Sequence, residues 1–249
     1  MPDTAARHSP SIPILVYHQI SEAPPKGAPF RGLYVAPTAF ARQMALLKLL
    51  GYEGLSMSAL LPYLCGEKSG KVVGITFDDG YLNNLAHALP VLQRHGFSST
   101  CYAVSNLLGK TNEWDRAIGI AQVPLMTADQ LRLWVAGGQE VGSHTQNHVR
   151  LLKTDATTAQ AEMTQDKAAL ENLLATPVQH FCYPYGEYAE PHVAMARQAG
   201  FQTVTTTRRG RCAVKGDLFE LPRVPVVRST SLPVFWLKIA TAYEDRKNA

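Results

Sequence analysis

The strongest constraint on the fold of this 249-residue chain is a repeated alternation between two hydrophobic periods. Short apolar runs read as strands at Pro13–Tyr17, Val72–Phe77, Thr100–Val104, Val141–Ser143, Val178–Tyr183, Val204–Thr207 and Leu221–Val227. Between them, apolar residues recur at three- and four-residue spacing over Thr38–Leu50, Leu82–His95, Ala128–Ala136, Asp155–Leu174, Pro191–Ala199 and Ser231–Tyr243, which is the spacing of helices. Thr127 reads as a cap for one of these helices, and Gly96, Gly137 and Gly200 read as stops. Strand and helix taking turns seven or eight times implies a mostly parallel sheet with helices outside. At this length a (β/α) barrel is favoured over an open sheet, and its reactive residues would sit at the carboxyl ends of the strands.

No repeat, low-complexity tract or flexible linker divides the chain, so one α/β barrel domain is expected over 13–249. Residues 1–12 are expected to be a disordered or extended lead-in. Ser21–Gly32 and Leu108–Pro124 read as loops. Hydrophobic residues make up 46% and charged residues 18%, which excludes a disordered chain. The net charge of +4 comes from scattered Lys and Arg, so no nucleic-acid partner is indicated. No stretch reaches the ~20 apolar residues that span a bilayer. Met1–Ser11 lacks the apolar centre of a signal peptide, so the chain reads as cytoplasmic as it stands, or extracytoplasmic if a leader has been removed. Cys65, Cys101, Cys182 and Cys212 are far apart and form no C-x-x-C, so free thiols are expected. The sequence does not define an oligomeric state.

Polar clusters follow four of the predicted strands. Asp78 and Asp79, before Gly80, end Val72–Phe77. Adjacent acids repel, so a nearby cation must offset them or one must hold a proton, and a metal on one acid would leave the other ionised as a general base. His144 and His148 are four apart, so one helical turn would bring both imidazoles to one face beside a carboxylate. His18 ends the first strand; taken alone, it is more often structural than catalytic. Tyr183-Pro184-Tyr185-Gly186 ends another strand, and Gly186 permits a sharp turn that aims a backbone N–H into a cleft. Arg223 is flanked by apolar residues, either solvated at the rim or held beside an acid. No Gly-x-Ser-x-Gly elbow supports a serine hydrolase, and no H-E-x-x-H a zincin.

Thr76-Phe77-Asp78-Asp79-Gly80, joined to Ser143-His144-x-x-x-His148 and Tyr183-Pro184-Tyr185-Gly186, resembles the polysaccharide deacetylase family, carbohydrate esterase family four. Tyr17-His18, the Pro37–Tyr52 helix and the Leu221–Val226 strand look like the branch that includes poly-β-1,6-N-acetylglucosamine deacetylases. The resemblance covers about Ile14–Val227. It implies a distorted (β/α)7 barrel that removes N-acetyl groups from a carbohydrate substrate with one divalent metal, zinc first, cobalt or nickel as alternatives. By the same resemblance Asp78 is the general base, and Asp79, His144 and His148 are the metal ligands. The Tyr185 N–H helps hold the oxyanion. The family's usual carboxyl-terminal histidine is missing, since no histidine follows His192, and His18 matches the branch that supplies the acid from the first strand. Cys182 stands where many members carry an arginine, and Arg223 is the residue that would replace it. The rival readings are a related metal-dependent amidase acting on a lipid-linked sugar or small amide, and a catalytically dead sugar-binding barrel.

Overall fold

Seven parallel strands close on themselves in the computed structural model, which describes residues 11–247. They are β1 (Ile14–Tyr17), β2 (Val72–Phe77), β3 (Thr100–Ala103), β4 (Glu140–Ser143), β5 (His180–Cys182), β6 (Thr203–Arg209) and β7 (Leu221–Pro225). Neighbours pair in chain order from β2 to β7. β1 then seals the barrel between β7, where Leu15 lies opposite Val224, and β2, where Tyr17 lies opposite Phe77. The expected (β/α)7 barrel is the fold observed. An eighth short strand, Glu53–Leu55, adds to the lower edge of β2 outside the ring.

The helices are α1 (Pro37–Leu49), α2 (Met57–Leu64), α3 (Leu89–His95), α4 (Ala128–Ala136), α5 (Ala156–Leu174), α6 (Glu190–Gln198) and α7 (Leu232–Ala240). Among the described residues, none is long and apolar enough to cross a membrane. Alternation along β2 explains the layering. Val73, Ile75 and Phe77 turn outward to meet Phe40, Met44 and Leu47 of α1, Leu92 of α3 and Trp134 of α4 in the main core. Val72 joins Ile14, Tyr102 and Leu221 with Met57, Leu60 and Leu64 of α2 in a second apolar cluster. That helix begins on Ser56, whose side chain accepts from the Ala59 N–H.

Helix boundaries follow their capping residues. Thr127 and Gln130 close a reciprocal capping box ahead of α4, and Asp155 accepts from the Thr158 N–H ahead of α5. Two expectations need correction. The Leu82–His95 helix opens with a wide π turn over Asn84–Ala88 before α3 begins. The His144–His148 segment is not helical: Thr145 and His148 both take left-handed backbone angles, φ 65° and 55°. Of the lead-in expected over 1–12, residues 1–10 lie outside the described part, while Ser11–Ile12 pair antiparallel with Cys212–Ala213.

Candidate active site

The residues that follow β1, β2, β4 and β5 meet at one mouth of the barrel. His18, Asp78, Asp79, His144, His148 and Tyr185 line a single cavity of about 290 Å³. Helical spacing does not bring the two imidazoles together. The non-helical turn does so, setting the His144 and His148 rings edge to face with centroids 4.8 Å apart. Asp79, Thr145, His148 and Tyr185 all have positive φ without being glycine. Such backbone costs roughly 1–3 kcal/mol per residue and persists only where its surroundings fix it.

The two adjacent acids lie in different environments. Asp78 receives Arg223 in a fork, Nη1 to Oδ1 at 2.7 Å and Nη2 to Oδ2 at 2.8 Å. Arg223 is buried in the lumen beneath the mouth, not solvated at the rim, and every donor is used. Its Nε donates to the Thr206 carbonyl at 2.8 Å, Nη1 also to Thr76 Oγ1 at 3.1 Å, and Nη2 also to Cys182 Sγ at 3.1 Å. Burial pushes the Asp78 carboxyl up, but the guanidinium, helped by His18 and His144, outweighs it and holds the group below its usual range. His18 Nε2 lies 3.9 Å from Asp78 Oδ2, on a side chain still 24% exposed to the cavity.

Asp79 faces imidazoles instead. Its Oδ1 is 3.5 Å from His144 Nε2 and 3.3 Å from His148 Nε2. Burial raises this carboxyl too, and the two imidazoles more than reverse it, leaving Asp79 well below the normal carboxylate range. His144 Nδ1 is bonded to the Cys182 carbonyl at 2.7 Å, so Nδ1 carries a proton, and Nε2 is the nitrogen turned towards Asp79 that a cation would meet on displacing its proton. His148 Nδ1 is buried with no partner. One carboxylate and two imidazoles with converging ligand atoms form a donor set suited to a divalent ion. Asp78, His144 and Cys182 also lie close enough to group around an ion. There, however, Arg223 already occupies both Asp78 oxygens and the sulfur, and its buried positive charge opposes a second cation.

Three acids and amides that sequence reasoning missed hold these groups. Asp166 on α5, fully buried, accepts from Ser143 Oγ at 2.6 Å and the His144 N–H at 3.1 Å through Oδ2, and from the Ser105 N–H at 2.9 Å through Oδ1. Burial raises its pKa to about 6. Glu162, one turn earlier on the same helix, accepts from the Asn147 N–H at 3.0 Å and from its side-chain amide at 2.6 Å. Asn84, in the π turn, donates to the His18 carbonyl at 2.9 Å. The signal for the first two was visible: acids at i and i+4 on the face of α5 that also carries Ala159, Met163 and Leu170.

Tyr185 stands in the turn after β5 with φ 58°. Its backbone N–H has no acceptor among the described residues. Gly186 is required beside it: its φ is +69°, and a Cβ there would collide with the Thr207 side chain. Over the other side, Trp114 stacks on His148 with ring centroids 4.2 Å apart, and Tyr185 packs edge-on to the same imidazole at 4.6 Å.

Fold and site together define a parallel (β/α)7 barrel with an acid–imidazole centre at its carboxyl mouth and an arginine-held carboxylate beside it. Residues 66–204 match the family model described as polysaccharide deacetylase. The chain belongs to the polysaccharide deacetylase family. It is 29% identical over 217 residues to YxkH of Bacillus subtilis, covering 86% of this chain and 71% of that protein. It is 22% identical over 202 residues to the poly-beta-1,6-N-acetyl-D-glucosamine N-deacetylase of Staphylococcus epidermidis, covering 77% and 68%. Its fold superposes on Streptococcus pyogenes deacetylase PplD, solved in complex with acetate. The TM-score is 0.82 at 25% identity, over 93% of this chain and 99% of that one.

Proposed function

We propose that the protein is a metal-dependent hydrolase that removes N-acetyl groups from N-acetylated amino sugars in a polysaccharide or oligosaccharide and releases acetate. The observation that carries this reading is the division between the two adjacent acids. Asp78 is committed to Arg223 and faces His18, whereas Asp79 is committed to His144 and His148. Asp79, His144 and His148 are the ligands, and zinc suits two imidazoles and one carboxylate, with cobalt or nickel as alternatives.

A divalent ion held by these three residues supplies Lewis acidity towards the acetamide carbonyl and the attacking water. Asp78, kept ionised by Arg223, takes a proton from that water. The Tyr185 N–H, without an acceptor of its own, donates to the developing oxyanion. His18, at the cavity wall within 3.9 Å of the base, protonates the departing amine. The acetate in the PplD structure is the product class this reaction would release.

The test is acetate and free-amine release from N-acetylglucosamine oligomers. Equimolar acetate and amine, abolished by a chelator and restored by added zinc, is the expected result. Zinc-loaded protein that releases neither product from such oligomers would contradict the assignment.

A further inference from the structure

Asp78 has its cation in Arg223, and Asp79 has two imidazoles. A third acid on the same cavity, Asp115, has neither. No Lys, Arg or His forms an ion pair with it among the described residues; the adjacent Arg116 pairs instead with Glu113, at 3.6 Å. Its carboxylate accepts only neutral donors, a long 3.4 Å bond from the Asn112 side-chain amide and the Trp114 side chain. Burial raises the Asp115 carboxyl, and its charge in turn helps to raise the Tyr185 phenol, to about 12, across the cavity. The loop that carries it is anchored on the site, because Trp114, the preceding residue, stacks on His148. Around this carboxylate the wall is apolar or aromatic: Phe30, Leu33, Tyr81, Trp114 and Tyr185.

Rings accept the apolar faces of a sugar, and a carboxylate without a counter-ion complements a cation. The proposed reaction creates such a cation, because each turnover leaves an amine that is protonated near neutral pH. We propose that Asp115 is a specificity-determining residue that binds the ammonium group of a neighbouring amino sugar, so that the enzyme prefers chains already carrying a free amine next to the acetamide it cleaves. This rests on the deacetylase reading above. Asp115 directs where along a chain the next acetyl group is lost, and deacetylation spreads from sites already opened.

The test compares zinc-loaded parent, Asp115→Asn and Asp115→Glu on two β-1,6-linked tetramers. One is fully N-acetylated and the other carries a single glucosamine. The parent is expected to have the higher kcat/KM on the second. Asp115→Asn, which keeps the size and the loop hydrogen bonding, should lower that preference about tenfold, the scale of one charge-assisted hydrogen bond. Asp115→Glu should restore part of it, and added salt should weaken it in the parent. An unchanged ratio in Asp115→Asn would overturn the proposal. So would an equal loss on both tetramers, which would place Asp115 in the chemistry instead. Binding of the glucosamine tetramer, read by tryptophan fluorescence, separates the two levels of the account. Tetramer bound by the parent and released by Asp115→Asn supports the inference even if no acetate forms, a result that would sink only the deacetylase reading. Equal binding by both proteins overturns it.

Discussion

Arg223 grips Asp78 with two bonds of nearly equal length, 2.7 and 2.8 Å, although 145 residues separate them in the chain. The contact exists because β1 closes the barrel between β7 and β2. Both partners are buried, so each would be an unpaired charge without the other.

Removing the guanidinium should therefore act on stability and on pH dependence. Arg223→Ala is expected to cost about 3–5 kcal/mol in unfolding free energy, the range for leaving a buried charge unpaired. With Arg223 gone, burial is opposed only by the weaker pull of His18 and His144, and the Asp78 pKa rises. The acidic limb of the kcat/KM profile should then move to higher pH, with activity lost most at the acidic end. In the parent, the depressed Asp78 pKa stabilises the fold above the unfolded value of about 3.8, and this contribution fades as pH falls through the lower folded value. Denaturation curves and a pH–rate profile of the variant check both; an unmoved limb would remove Arg223 from the control of the base.

His18 should separate chemistry from folding. His18→Ala is expected to keep metal and thermal stability while losing about 10²-fold in deacetylation, the lower scale for a general acid. The loss should be smaller for an activated acetate ester, whose leaving group needs no proton. Equal rates of variant and parent on the acetamide would show that His18 does not supply it.

Asp166 touches no substrate-facing atom, yet it holds both the β4 end and the loop after β3. If His144 is a metal ligand, Asp166→Ala is expected to weaken zinc affinity about 10–100-fold, the scale for losing an outer partner of a ligand, here the one that fixes the His144 backbone. Glu162→Gln, which keeps one acceptor for Asn147, should have a smaller effect. Competition with a chromogenic chelator measures both.

Much of the fold was legible because local and global signals agreed. β2 is an apolar β-branched run, and α4 is announced by Thr127 as its cap. α2 was missed because Pro62 lies inside it and Gly54 and Gly66 flank it, which breaks the helical pattern. The spacing of His144 and His148 suggested a helix. The left-handed angles at Thr145 and His148 that replace it carry no glycine to mark them. The site residues next to strand ends could be found from the barrel rule. Their partners could not: which acid meets Arg223, and what Asp166 receives, depend on contacts across the barrel that no local pattern encodes.

Gly186 offers a steric test of the role proposed for the Tyr185 turn. Gly186→Ala should be strained by its positive φ and by collision with Thr207, displacing the Tyr185 amide. We expect kcat to fall with little change in KM. The double variant Gly186→Ala/Thr207→Gly should recover part of it, since the collision is relieved and the backbone strain is not.

The most direct measurement sets metal content beside turnover in Asp78→Asn and Asp79→Asn. If Asp79 is the ligand and Asp78 the base, Asp78→Asn retains its ion and loses about 10²-fold or more in acetate release, while Asp79→Asn loses the ion itself. An Asp78→Asn protein without metal beside an Asp79→Asn protein that retains it would reverse the roles and contradict the account.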